Sequence, residues 1–143
     1  MACVNAPTAG WPEDVPEDVV TGFWLWAIAL PLMLTGHVVG VVGTAGPTQA
    51  WLVNATTAVI AVNTAAIVAT FLILLRHGYR WARTLLTGGG AAYVVYVGTN
   101  LFGFEAPPVV AVLYAVTSIV GSVLIVGGLV LLHRKDAHAF LVR

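Results

Sequence analysis

His37 is the one ionisable side chain set well inside a long apolar stretch, and Asn54, Asn100 and Glu105 fall where they could join it. Ionisable residues within hydrocarbon are costly and by default mark ion paths, proton relays or ligand contacts. A Glu–His pair could bind a proton or a cation. The four residues together, with Tyr114 close by, could also line a small cavity. Plainer alternatives stand beside this reading. A neutral, hydrogen-bonded His37 would only pack, and Asn100 and Glu105 would simply end a helix at a polar interface. Asn63 lies in the middle of another apolar run, where an amide needs a partner. A hydrogen bond from it to a second helix would be worth roughly 0.6–2 kcal/mol, and lining a conduction path is the alternative.

Other chemistries lack their residues. Cys3 is the only cysteine, which excludes a disulfide framework and a C-x-x-C pair. No H-E-x-x-H or G-x-S-x-G is present. Gly88-Gly89-Gly90 lacks the GxxxxGK[ST] pattern of a phosphate loop and reads as close packing. His77, His133 and His138 fall at the opposite end from His37, which leaves it without a second metal or haem ligand. Six Lys+Arg balance six Asp+Glu, so there is no basic excess for nucleic acid. The chain reads as non-enzymatic, with no cofactor and no metal.

The elements that hold these residues follow from composition. Of 143 residues, 59% are hydrophobic and 8% charged, against about 25% charged in a soluble domain. A core this small cannot hide that much apolar surface, so lipid must cover much of it. Charges punctuate the rest: 57 residues without Asp, Glu, Lys or Arg separate Asp18 from Arg76, 21 separate Arg83 from Glu105, and 28 separate Glu105 from Arg134. About 20 apolar residues cross a bilayer, and the longest run is interrupted by the turn cluster Gly43-Thr44-Ala45-Gly46-Pro47-Thr48-Gln49. Four spans result, at about 19–42, 50–75, 83–102 and 108–132. Residues 1–18 read as an acidic tail and helix start, and residues 133–143 as a short basic tail. The runs are continuously apolar without the alternation of a barrel strand, and a helix satisfies its own backbone in lipid. The fold class expected is all-α, a transmembrane four-helix bundle.

All six basic residues occupy two places: Arg76, Arg80 and Arg83 after the second span, and Arg134, Lys135 and Arg143 after the fourth. The positive-inside rule makes both segments cytoplasmic, and parity then places both termini there. These residues read as topology and lipid anchors rather than catalytic groups. Trp24, Trp26, Tyr79 and Trp81 are expected at the inner interface, and Trp51, Phe102 and Phe104 at the outer one.

Apolar contact does not drive helices together in lipid; small residues and interhelical hydrogen bonds do. Gly36 and Gly40 form a Gly-xxx-Gly pair beyond Pro31, which should kink the first span. Ala61, Ala65 and Ala69 repeat that spacing on the second, where Thr56, Asn63 and Thr70 share a face. Gly36, Gly40, Ala61, Ala65 and Asn63 are the expected helix-packing residues.

Three segments carry a resemblance: Pro16-Glu17-Asp18-Val19-Val20-Thr21-Gly22-Phe23-Trp24-Leu25-Trp26; Arg76-His77-Gly78-Tyr79-Arg80-Trp81-Ala82-Arg83-Thr84-Leu85-Leu86; and the ending from Leu131-Leu132-His133-Arg134 to Ala139-Phe140. Together they resemble the small four-span conserved integral membrane proteins of actinobacteria. The resemblance implies that architecture and a multi-pass plasma-membrane location, and brings no assigned reaction. The expected partners are the lipid bilayer and other transmembrane helices. The expected function is that of an accessory subunit or homo-oligomer acting through helix contacts. The alternative is a small oligomeric transporter or channel using His37, Asn54, Asn100 and Glu105. No carboxylate lies deep in a span, which argues against a proton-coupled exporter of the small four-helix multidrug type.

Overall fold

A computed structural model describes residues 15–46 and 50–135. Of the expected tails, residues 1–14 and 136–143, with Cys3, His138 and Arg143, lie outside the described residues, as do residues 47–49. The described chain is all-helical: α1 Glu17–Thr44, α2 Ala50–Arg76, α3 Arg80–Leu101 and α4 Pro108–Leu132. Three of the four, α1, α2 and α4, are long and apolar enough to cross a membrane. At 1.5 Å per residue, the 22 residues of α3 also reach about 33 Å. This helix falls short in hydropathy, since Arg80 and Arg83 open it and Thr, Gly and Asn recur along it.

Local chemistry sets the helix ends. Pro16 precedes α1, with Glu17 and Asp18 in its first turn, where the positive end of the helix dipole favours acids. Pro108 opens α4 at a position whose N–H no helix uses. The α2–α3 reversal is a Schellman turn. The Tyr79 N–H donates to the Leu74 carbonyl (3.2 Å) and that of Gly78 to Leu75 (3.0 Å). Gly78 sits at φ 83°, a left-handed conformation that a Cβ penalises. Pro31 lies inside α1, and the Thr35 hydroxyl donates to its carbonyl at 2.7 Å.

The helices form a ring in which each packs on its two chain neighbours and α4 closes back onto α1. The α1–α4 contact is by far the most extensive. Its seam is regular. On α1, Val19, Gly22, Trp26, Ala29, Gly36 and Gly40 are buried, with Met33 partly buried between them. On α4, Tyr114, Ser118, Gly121, Ile125, Gly128 and Leu132 are buried. Both sets advance in alternating steps of three and four, the repeat of a coiled-coil seam. By contrast only Thr57, Leu72 and Leu75 of the 27 residues of α2 are buried. Trp26, Ala29, Leu72, Leu75, Leu86, Ile125 and Leu132 make one core in the half of the bundle where the arginines lie.

Candidate functional site

Two glycines make room for the largest side chain of that core. A methyl group placed on Gly128 would lie 2.7 Å from Trp26 Cδ1, and one on Gly90 would lie 2.9 Å from Cη2 on the other side of the indole. Trp26 therefore reaches from α1 past α4 to the backbone of α3 and is 2% exposed. The sequence placed it at the inner interface; the structure buries it, because Gly90 and Gly128 leave a slot and Trp26 falls on the seam. Trp24, two positions away, faces outward, as an interfacial tryptophan does.

Towards the opposite end the packing opens. Gly36 and Gly40 both face α4: a Cβ on Gly36 would meet Thr117 Oγ1 at 3.0 Å, and one on Gly40 would meet Tyr114 Cδ2 at 3.1 Å. Beside them α1, α3 and α4 border a partly open cavity of about 290 Å³. Its walls include His37 from α1, Tyr93, Tyr96 and Asn100 from α3, Tyr114 from α4, and Phe104 from the α3–α4 connection. Phe104 stacks on Tyr114 with centroids 4.2 Å apart and planes 24° from parallel. The Nε2 atom of His37 is buried and has no hydrogen-bond partner among the described residues. The Asn100 amide donates to the Tyr96 carbonyl at 2.8 Å. None of the ten lining residues carries a carboxylate, an ammonium or a guanidinium group.

Of the four residues expected in one polar cluster, His37 and Asn100 share this cavity with Tyr114, whereas Asn54 and Glu105 do not line it. Asn54 belongs to α2, which contributes no wall, and its side chain is exposed. Glu105 lies beyond the end of α3 and is exposed, while its neighbour Phe104 turns inward onto Tyr114. Among the described residues no three His, Cys, Asp or Glu side chains gather closely enough to hold a metal ion.

Comparison with known proteins gives no match to a family model, a curated protein or a solved structure. The chain's own geometry is therefore the guide to its function.

The remaining packing residues divide. Ala61 and Ala65 are half-buried, and Asn63 is exposed. Instead of bridging to a second helix of the same chain, the Asn63 amide donates to the Val59 carbonyl in its own turn, at 2.9 Å. Asn63 faces away from the bundle, so no other helix of the same chain is within its reach.

At the basic end the residues expected as anchors differ from one another. Arg80, Arg134 and Lys135 are exposed and Arg76 is half-buried, but Arg83 is only 9% exposed. Its guanidinium donates to the Leu132 carbonyl at the C-terminus of α4, at 3.5 Å, where a cation complements the helix dipole. Arg134 pairs with Asp18 at 3.4 Å, tying the end of α4 to the start of α1. Sequence reasoning assigned Arg83 to the interface and missed this role. The available signal was its position three residues into α3, facing inward with Leu86 and Gly90 at helical spacing.

Proposed function

We propose that this chain is a four-span, multi-pass protein of the plasma membrane, of the kind its resemblance to actinobacterial membrane proteins implies. It works through transmembrane helix contacts, pairing with a second copy of itself along the outward face of α2. In this reading α3 is the fourth span: from Thr84 to Leu101 it has no Asp, Glu, Lys or Arg, and its arginines lie at the same end as Arg76 and Arg134. Both termini are then cytoplasmic by the positive-inside rule.

The observation that carries the assembly is Asn63. It is the central residue of α2, so it lies near the middle of the bilayer, exposed and bonded only to its own backbone. An amide has two donor hydrogens and a carbonyl with two lone pairs; in hydrocarbon most of that capacity goes unmet. Thr56 and Thr70, seven residues to either side, are exposed with it. An Asn can both donate and accept, so one such face matches itself across a two-fold axis. The rest of the face is apolar and loosely covered, with Val59, Val62 and Ile67 exposed.

Asn63→Leu tests this. Single-molecule or ensemble energy transfer between labelled copies in lipid vesicles should show a dimer whose association weakens about three- to thirtyfold in the variant, the scale of ~0.6–2 kcal/mol for interhelical hydrogen bonds. Wild-type protein that stays monomeric at every protein-to-lipid ratio would overturn the reading. Stoichiometric recovery of an unlike subunit, lost with Asn63→Leu, would replace the second copy by that subunit. The transporter alternative has one favourable observation, the cavity shared by His37 and Asn100. Below it, the Trp26–Leu75–Ile125 core fills the basic half of the bundle, so a continuous path does not run through a single copy.

A further inference from the structure

We propose that the cavity between α1, α3 and α4 is a binding site for an uncharged ring compound bearing hydrogen-bonding oxygens, the chemical class of a quinone or hydroquinone headgroup. Volume sets the scale. An apolar cavity of about 150 Å³ holds one benzene ring, and this one, at about 290 Å³, takes a ring with its substituents. The walls suit a flat molecule. Tyr93, Tyr96, Tyr114 and Phe104 present aromatic faces and edges, which pack on another ring by offset or edge contacts.

Polar recognition comes from the lining itself, in the Asn100 amide, the hydroxyls of Tyr93, Tyr96 and Tyr114 and the His37 ring. A phenol O–H or an amide N–H donates to a carbonyl oxygen, and a phenol or amide oxygen accepts from a hydroxyl. Charge selects against ions. The lining has no carboxylate to balance a cation and no ammonium or guanidinium group to balance an anion, and an unpaired charge taken out of water is strongly disfavoured. A lipid-soluble ligand also fits the membrane reading given above, on which access to the site rests. Binding alone is proposed, with no change of oxidation state.

The test uses the full chain in phospholipid nanodiscs free of quinone. Decyl-benzoquinone is the probe, and tetramethylammonium, which aromatic rings alone can bind, is the charged comparison. With ¹⁵N-labelled histidine, decyl-benzoquinone should shift the ring resonances of His37, a lining residue, saturably, whereas tetramethylammonium should leave them unmoved. Equilibrium dialysis should show about tenfold weaker binding for His37→Leu, the scale of one lost hydrogen bond. Binding should be lost in Val41→Phe, which fills the cavity, and unchanged in Asn54→Ala, which lies outside it. Helical circular dichroism and thermal unfolding establish that each variant is folded. If His37→Leu does not fold, Val41→Phe carries the comparison. Uptake no greater than in empty nanodiscs, equal binding by wild type and Val41→Phe, or tighter binding of tetramethylammonium would each overturn the proposal. None of these readouts depends on dimer formation, so failure here and failure of the assembly reading are separable.

Discussion

Replacing Gly128 with alanine adds one methyl group at a tight point of the α1–α4 seam. That carbon would sit 2.7 Å from Trp26 Cδ1 and 3.4 Å from the Gly22 carbonyl oxygen, against about 3.5–4.0 Å for an unstrained carbon contact. Trp26 cannot simply withdraw, because its far edge already lies against Gly90. Either the indole leaves its rotamer or the two helices separate by about 1 Å, and overpacking of this kind costs about 1–3 kcal/mol. Alanine recovers about 0.5–1 kcal/mol of that through its better helix propensity. From the middles of these ranges the net loss is about 1.2 kcal/mol, roughly an eightfold shift in the unfolding equilibrium. Reversible unfolding in mixed micelles, followed by far-ultraviolet circular dichroism, measures it. Gly88→Ala is the matched control: nothing lies within 4 Å of its new carbon, so its stability should hold or rise. In the Gly128→Ala background, Trp26→Phe should cost less than it does alone, because the smaller ring relieves the clash. A Gly128→Ala protein as stable as wild type would refute the reasoning that the indole is wedged between two backbones.

Three further outcomes concern the basic end and the topology. Arg83→Met should lower stability by about 1–3 kcal/mol, since the carbonyl at the end of α4 loses its charged donor; the same unfolding assay reads it. Asp18→Asn should cost less than about 1 kcal/mol, with the difference vanishing in high salt, because Arg134 is 62% exposed; unfolding at two ionic strengths checks it. With Cys3 replaced by serine, cysteines introduced at Gly46 and Gly103 should label from outside intact cells. Those at His77 and Lys135, both exposed, should label only after permeabilisation.

The four helices could be read from charge spacing because lipid-length apolar runs leave few alternatives. Pro108 and the acids at Glu17 and Asp18 mark helix starts by local chemistry that needs no tertiary context. The α1–α4 seam was also written in the chain. Gly22, Ala29, Gly36 and Gly43 recur every seven residues, as do Tyr114, Gly121 and Gly128. The shorter Gly36–Gly40 pair is the more conspicuous spacing and hides the full seam. Trp26 went astray for a different reason: an aromatic near a span's end serves equally at an interface or in a slot. Only the partner glycines on two other helices decide between them, and those lie 64 and 102 positions away in the chain. The cavity was half legible. His37 and Asn100 stood out as polar residues in apolar runs, but the tyrosines that wall it sit on ordinary helical positions. Glu105 and Asn54 share a depth with His37 without sharing a side, and linear position does not encode rotation around a ring of four helices.

α1 must wait for α4. Its glycine-lined stripe and the Trp26 indole match surfaces on α4 that are synthesised some hundred residues later, while the intervening helices make less extensive contacts. Until α4 is made, the growing polypeptide holds an unfinished groove open to its surroundings and to other nascent helices. A product cut short before Pro108 should retain its insertion signals yet present that groove to the quality-control proteases of the membrane.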